Sequence, residues 1–534
     1  MTRRLSHAVA LSAAACVVAI LCLFVQVGKA QGIESQTYAG ETLFDTAAAQ
    51  ARAAYSASES AVIVGDAGWA DALSATGLAG ALDCPILFSG KDGLGNATAS
   101  ALRDLGVRKV VVVGGATMVS KGVLEELAAM GISSERVWGE SYYDTQMEVY
   151  ARGKGLWARD CVIVASGTYF ADALSAAPIA FAEKAPVFLV DEGKDLSAVQ
   201  KEALLSEASQ GHFARAIVVG GETVVSDYAR GFLDFTSQLA AASGGGQASC
   251  SRLSGETLYD TSSAVASWAA EQGILSWDNV AFTSSSGPYD ALAGSVLQGK
   301  TGSVLLLVGD AHSSTIATAA SHKGSISSVR FFGGRNVMPS VVKMAIARSM
   351  GRSFAELPGF KVYIDAGHGW NDSNNGQYDP GASGCGYQEA TLTKELATMV
   401  AEILQNKYGV SVYLNDDGGW YKLRHSEAVA LGCDAIVSIH FNAFDSSTTG
   451  SESLIHSYNA SLMSFTWQKQ IHPYLISGTG LLDRGMKQQE VAILGGPLPA
   501  VLLEVAFIDN ASDMSNYQAN KVMIANKIAE GIAL

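Results

Sequence analysis

Three copies of one pattern occupy the chain from Gly40 to about Met350, and no other feature limits the possible folds so strongly. The first landmark reads Gly40-Glu-Thr-Leu-Phe-Asp-Thr46, then Gly139-Glu-Ser-Tyr-Tyr-Asp-Thr145, then Gly255-Glu-Thr-Leu-Tyr-Asp-Thr261. The second reads Trp69-Ala-Asp-Ala-Leu-Ser-Ala75, Phe170-Ala-Asp-Ala-Leu-Ser-Ala176 and Pro288-Tyr-Asp-Ala-Leu-Ala-Gly294. The third is an apolar strand ending in two glycines, at Gly115, Gly221 and Gly334. Asp71, Asp172 and Asp290 lie 101 and 118 residues apart, so each copy is the size of a domain. Within the first copy, residues 61–64, 85–88 and 109–113 read as strands, and residues 70–81, 97–105 and 120–130 as helices. Continuous apolar strands separated by helices predict a parallel sheet covered on both faces. Residues 243–249 form a glycine-rich joint before the third copy. The Gly-Gly pairs lack the full phosphate-loop motif, and tight strand-to-helix turning is their ordinary use. The three aspartates stand where helices begin, so N-capping is their first reading and ligand binding the second.

A chain of 534 residues exceeds one core, and 48% hydrophobic with 16% charged residues describes a globular protein. The net charge of −15 and the lack of any basic run argue against nucleic acid. Residues 1–30 read as a secretory signal peptide: Arg3 and Arg4, an apolar run over residues 7–27, then small residues around Ala30. That run is near bilayer length, so an uncleaved anchor is the alternative, and contact with a membrane is expected only in that case. Beyond the leader the five cysteines contain no Cys-x-x-Cys pair, and Cys84 and Cys161 sit in apolar strand patterns.

Four residues near the C-terminus carry the chemistry. His368 follows a short apolar strand in a turn where the flanking Gly367 and Gly369 leave its ring uncrowded, and Glu389 opens a helical run 21 residues later. His440 ends a second apolar strand, and Glu504 sits inside a third. Two imidazoles and a carboxylate suit catalytic zinc, which keeps a position for water, and a further carboxylate can serve as general base. Cys385 lies nearby but is a weaker ligand candidate than Glu389. A glutamate among Val, Leu and Phe needs a partner for its charge.

Residues 360–534 resemble the zinc-dependent N-acetylmuramoyl-L-alanine amidases. The matching stretches are Asp365-Ala-Gly-His-Gly369, Asp379-Pro-Gly-Ala382, Leu423-Arg424, Ser438-Ile-His-Phe-Asn-Ala443, Gly450-Ser-Glu452, Arg484-Gly-Met-Lys487 and Pro499 to Asn510. The resemblance implies zinc held by His368, Glu389 and His440, with Glu504 as catalytic acid and base. Asn442 and Arg424 are candidates to support the site. The polar loop of residues 370–378 is longer than the family's turn. The three copies resemble cell wall binding repeat type 2 domains, found in threes on Gram-positive surface proteins. That likeness implies non-covalent attachment to an anionic secondary wall polymer. Where the family often has arginine, this chain has Leu43, Tyr142 and Leu258.

The expected architecture is α/β throughout: three tandem small parallel-sheet domains, then an α/β zinc amidase domain. The boundaries are 1–30 for the signal peptide, 36–135, 136–242 and 251–350 for the repeats, and 359–534 for the catalytic domain. The expected protein is a secreted, wall-associated autolysin cleaving the bond between N-acetylmuramic acid and the L-alanine of peptidoglycan. The alternatives are a wall-anchored adhesin with a non-catalytic amidase fold, and a zinc peptidase acting elsewhere on the stem peptide.

Overall fold

The structure is a computed structural model that describes residues 34–191, 193–334, 337–351 and 360–533. The expected signal peptide and most of the join before the amidase lie outside the described residues.

The repeats contribute β1 (Glu34–Tyr38), β2 (Ser60–Gly65), β3 (Ile86–Ser89), β4 (Lys109–Val113), β5 (Ser133–Val137), β6 (Cys161–Ser166), β7 (Val187–Val190), β8 (Arg215–Val219), β9 (Ser249–Leu253), β10 (Ser276–Ser284), β11 (Ser303–Val308) and β12 (Ser328–Phe332). They form three sheets of four strands, ordered β3-β2-β4-β5, β7-β6-β8-β9 and β11-β10-β12-β1. The strand pairings within the first two sheets are parallel, as expected for buried apolar strands joined through helices.

One outer strand of each sheet, β5, β9 and β1, was not legible as a strand. Sequence reading runs residue 130 straight into Gly139, but β5 intervenes. It is Ser-Ser-Glu-Arg-Val and mostly exposed, so it lacks the apolar run that marks a buried strand. Both β5 and β9 lead directly into the next landmark. β1 leads into the first repeat yet joins the third sheet, with the Gly333 amide donating to the Tyr38 carbonyl at 3.0 Å. The three repeats thereby close into a ring.

Each first landmark is a helix start. Thr42, Ser141 and Thr257 cap the helices Leu43–Ala54, Tyr142–Arg152 and Leu258–Glu271, with Asp45, Asp144 and Asp260 completing capping boxes. The N-capping expected of Asp71, Asp172 and Asp290 does not occur. The cap positions are Gly68, Tyr169 and Pro288, and the aspartates lie inside the first turn. Their helices, Trp69–Leu82, Phe170–Ala182 and Tyr289–Lys300, pack together at the centre of the ring. Gly77 and Gly80 permit this approach, since a Cβ on either would come within about 2 Å of the Ala185 or Phe181 carbonyl oxygen. The Gln50 side chain donates to the buried Asp290 carbonyl at 2.9 Å, tying the first repeat to the third.

The C-terminal part builds on β13 (Lys361–Ala366). Two short hairpins follow, β14 (Gly369–Trp370) with β15 (Tyr378–Asp379) and β16 (Ser383–Gly384) with β17 (Tyr387–Gln388). Then come β18 (Ser411–Asn415), β19 (Ala435–Asn442), β20 (Ser451–Ile455), β21 (Asp483–Gln488) and β22 (Ala500–Phe507). The sheet order is β18-β13-β19-β22-β20-β21, with β20 antiparallel to β22. Helices Glu389–Tyr408, Leu462–Thr479 and Ala511–Ala533 pack on one another and on the sheet. An apolar cluster that includes Tyr363, Ala428, Ile436, Leu494 and Leu502 forms a further part of the core. The last helix of the repeats, Ser340–Ser349, reaches this domain through Arg348, which donates to Gln470 at 3.0 Å.

Candidate metal centre and active site

His368 leaves the end of β13 in a left-handed conformation, φ 69°. Its turn is pinned from below by Arg424, which is 3% exposed. The guanidinium donates to Asp365 at 2.9 Å, Asp372 at 2.7 Å, and the carbonyls of Ala366 and His368 at 3.1 and 2.9 Å. A buried guanidinium with this many acceptors fixes a backbone shape, which is the supporting role considered for Arg424. Gly367, expected to leave His368 uncrowded, makes room for the other histidine: a Cβ there would lie 2.3 Å from the His440 ring. Gly381, φ +64°, is the residue that clears space around His368 and Glu389.

Glu389 begins its helix and is nearly buried. Its Oε2 lies 3.1 Å from His368 Nε2, and its Oε1 lies 3.0 Å from His440 Nδ1. The Phe441 and Ala382 amides donate to the same two oxygens at 3.0 and 2.9 Å. Ligand atoms of His368, Glu389 and His440 all fall within 4.8 Å of one another. Burial opposes charge on Glu389, but the two imidazoles hold its carboxyl far below the usual range. Burial likewise works against the His368 cation, yet Glu389 and Asp379 raise the imidazole to about 9. Asp379 sits 3.2 Å from His368 Nδ1, leaving Nε2 to face Glu389. A carboxylate behind a ligating imidazole fixes its tautomer and orientation. In the sequence Asp379 stands within a matching motif without an assigned role; the frequent pairing of a metal-binding imidazole with a carboxylate was the available signal.

Glu504 stands on β22 in register with His440 on β19. Its Oε2 is buried and has no hydrogen-bond partner among the described residues. Burial raises its carboxyl to about 7; His440 opposes that shift, and Glu389 and Glu452 add to it. Glu452 faces Glu504 from β20 and is held by Arg484 at 2.7 Å and Lys487 at 2.5 Å. Asn442, the other supporting candidate, donates to Glu452 at 3.3 Å rather than to the histidines. A cavity of about 240 Å³ beside the histidines is walled by Tyr421, Val491 and Ile493. The long loop of residues 370–378 forms the β14–β15 hairpin, sends Asp372 inward to Arg424 and leaves Trp370 exposed. Residues 443–450 form a polar turn in which Asp445 accepts from Ser447 and Thr448, and none of these eight residues is helical. Cys385 is exposed and unpaired with any other cysteine, outside the cluster.

Together these features define a chain of three linked sheet domains carrying a hydrolase-type site with a clustered His/Glu/His set. Comparison with known proteins agrees. The N-acetylmuramoyl-L-alanine amidase family matches residues 362–534, and cell wall binding domain 2 matches residues 37–124, 136–230 and 252–343. The N-acetylmuramoyl-L-alanine amidase LytC of Bacillus subtilis is 27% identical over 516 residues, covering 96% of this chain and 95% of that protein. The N-acetylmuramoyl-L-alanine amidase CwlM of Bacillus licheniformis is 32% identical over 180 residues, covering 32% of this chain and 67% of that protein. The solved structure of Cwp6 from Clostridium difficile superposes with a TM-score of 0.52 at 23% identity, over 94% of this chain and 79% of that one, a likeness of fold. The chain belongs to the cell wall binding domain 2 family and, through its C-terminal third, to the N-acetylmuramoyl-L-alanine amidases.

Proposed function

We propose that this chain is a wall-bound peptidoglycan hydrolase. Its amidase domain cleaves the amide between N-acetylmuramic acid and the L-alanine of the stem peptide. The observation that carries the reading is the convergence of His368, Glu389 and His440 next to the unpartnered Oε2 of Glu504. Two imidazoles and a carboxylate fit zinc, and the buried Oε2 of Glu504 beside them has no hydrogen-bond partner among the described residues. Zinc held by His368, Glu389 and His440 would supply Lewis acidity toward the scissile carbonyl and lower the pKa of a water. Asp379 fixes the His368 ring, and Arg424 fixes the turn that carries it. Glu504 accepts a proton from the attacking water at Oε2 and returns it to the leaving nitrogen of L-alanine. Its carboxyl, raised to about 7, is suited to both transfers near neutral pH.

The reading divides the chain into a signal peptide over residues 1–30, repeats over 36–135, 136–242 and 251–350, and the catalytic domain over 359–534. It places the mature protein outside the cell on a Gram-positive wall. Among the described residues no helix is long and apolar enough to cross a membrane. The repeats hold a secondary wall polymer. The family resemblance implies that this polymer is anionic, but a chain of net charge −15 is poorly suited to grip it through bulk charge. Clearing of purified walls tests the reading. Turbidity should fall, a chelator should stop it and added zinc should restore it. Walls that bind the chain in sedimentation yet are never cleared would favour a non-catalytic scaffold.

A further inference from the structure

A cavity of about 840 Å³ opens where the first repeat meets the second. It lies between the start of helix Trp69–Leu82, the Gly-Gly turn after β4 and the landmark that opens the second repeat. Three aromatic side chains wall it: Trp69, Trp138 and Tyr142. Trp138 is 51% exposed and lies against the turn at Gly115. A large indole left facing solvent beside a concave surface is a contact face awaiting a partner.

The other wall is polar. Asp71 lines the cavity, is 7% exposed, and its Oδ1 has no hydrogen-bond partner among the described residues. A buried carboxylate oxygen in that state is costly unless a ligand donates to it. Burial raises this carboxyl to about 6 with no cation offsetting it. The basic residue on the wall, Arg136, is occupied, donating to the carbonyls of Gly114 at 2.6 Å and Val119 at 2.8 Å. Glu140 adds a second carboxylate. An anionic group would meet two acids here and a guanidinium already engaged. A ring with one apolar face and several hydroxyl donors would meet the indole and the free carboxylate oxygen.

The equivalent junctions are built differently. Trp138 is replaced by Ser254 and Ala39, Tyr142 by Leu258 and Leu43, and Trp69 by Phe170 and Pro288. At the third junction the Asp290 carboxylate already accepts a hydrogen bond from Thr46. We propose that the junction of the first and second repeats binds an uncharged pyranose unit of a wall glycan, stacked on Trp138 with adjacent hydroxyls donated to Asp71. This deepens, and rests on, the reading of the repeats as the wall-binding module.

The test titrates the full chain with methyl β-glucoside, methyl β-galactoside and N-acetylglucosamine, and separately with inorganic phosphate, by tryptophan fluorescence and calorimetry. At least one neutral sugar should bind saturably. Trp138→Ala and Tyr142→Ala should each weaken it about tenfold, as loss of an aromatic anchor does, and Asp71→Asn should weaken it several-fold. Phosphate should not compete. An unfolding temperature like that of wild type, followed by circular dichroism on the full chain, confirms that each variant is folded. If wild type sediments with walls but binds none of the sugars, the proposal fails alone. It also fails if the folded variants bind sugar as wild type does, or if phosphate displaces the sugar. If wild type does not sediment with walls, the parent reading fails and this one with it.

Discussion

His440 and Glu504 are register partners on the neighbouring parallel strands β19 and β22, and Glu452 continues the row from β20. Register partners project to the same side of a sheet, so backbone pairing alone sets an imidazole beside the carboxylate proposed to move the proton. Glu389 comes instead from the start of a helix, and approaches the same imidazole at 3.0 Å from above the strand ends.

These two origins separate the carboxylates by role. Glu504→Gln keeps shape and removes the base, so activity should fall by roughly 10²–10⁴-fold while bound zinc persists. Glu389→Ala removes one of the three proposed ligands, so metal affinity should fall together with activity. Metal analysis of both purified variants checks this. Loss of zinc from Glu504→Gln would reverse the assignment.

Asp379 acts through His368. Asp379→Asn keeps the hydrogen-bond geometry but weakens the hold on the imidazole, and zinc affinity should drop about 10–100-fold. Competition with a calibrated chelator measures it. Affinity equal to wild type would make the 3.2 Å contact incidental.

Asp290 links stability to pH at the junction of the third and first repeats. Burial raises its carboxyl from 3.8 to about 6, although Thr46 pulls the other way. Between about pH 4 and 6 the folded chain keeps a proton that the unfolded chain has released. This group's penalty is therefore absent below about pH 4, grows as pH rises and is complete above about pH 6, where it is on the order of 3 kcal/mol. Asp290→Asn should raise the unfolding temperature at pH 8 and change it little at pH 4.5. An equal shift at both values would show that the carboxyl does not titrate in this way.

Much of this was legible because the informative residues follow apolar runs. β13, β19 and β22 announce themselves as buried strands, so His368, His440 and Glu504 could be placed at or within them from sequence. The outer strands β1, β5 and β9 could not, because one exposed side leaves them polar and their pairing is with residues far along the chain. For the same reason the ring closure, in which β1 completes the third sheet, has no local signature. The Thr/Ser-x-x-Asp pattern at the repeat starts was a readable capping box for the first helix of each repeat, whereas Asp71, Asp172 and Asp290 lie past the cap position, inside the first turn of a different helix. Gly367 was credited to the wrong histidine, since its neighbour in space, His440, is 73 residues away in sequence. The open face of Trp138 depends on how two repeats meet, which no single repeat encodes.

The central claim is that a zinc held by His368, Glu389 and His440 serves cleavage at L-alanine. Zinc content, measured on the same preparation that digests purified peptidoglycan, followed by mass spectrometry of the fragments, tests it most directly. The account expects one zinc per chain and stem peptides released with a free L-alanine amino terminus from otherwise intact glycan. New glycan reducing ends, cuts between later residues of the stem, or full activity in a chain without zinc would contradict it.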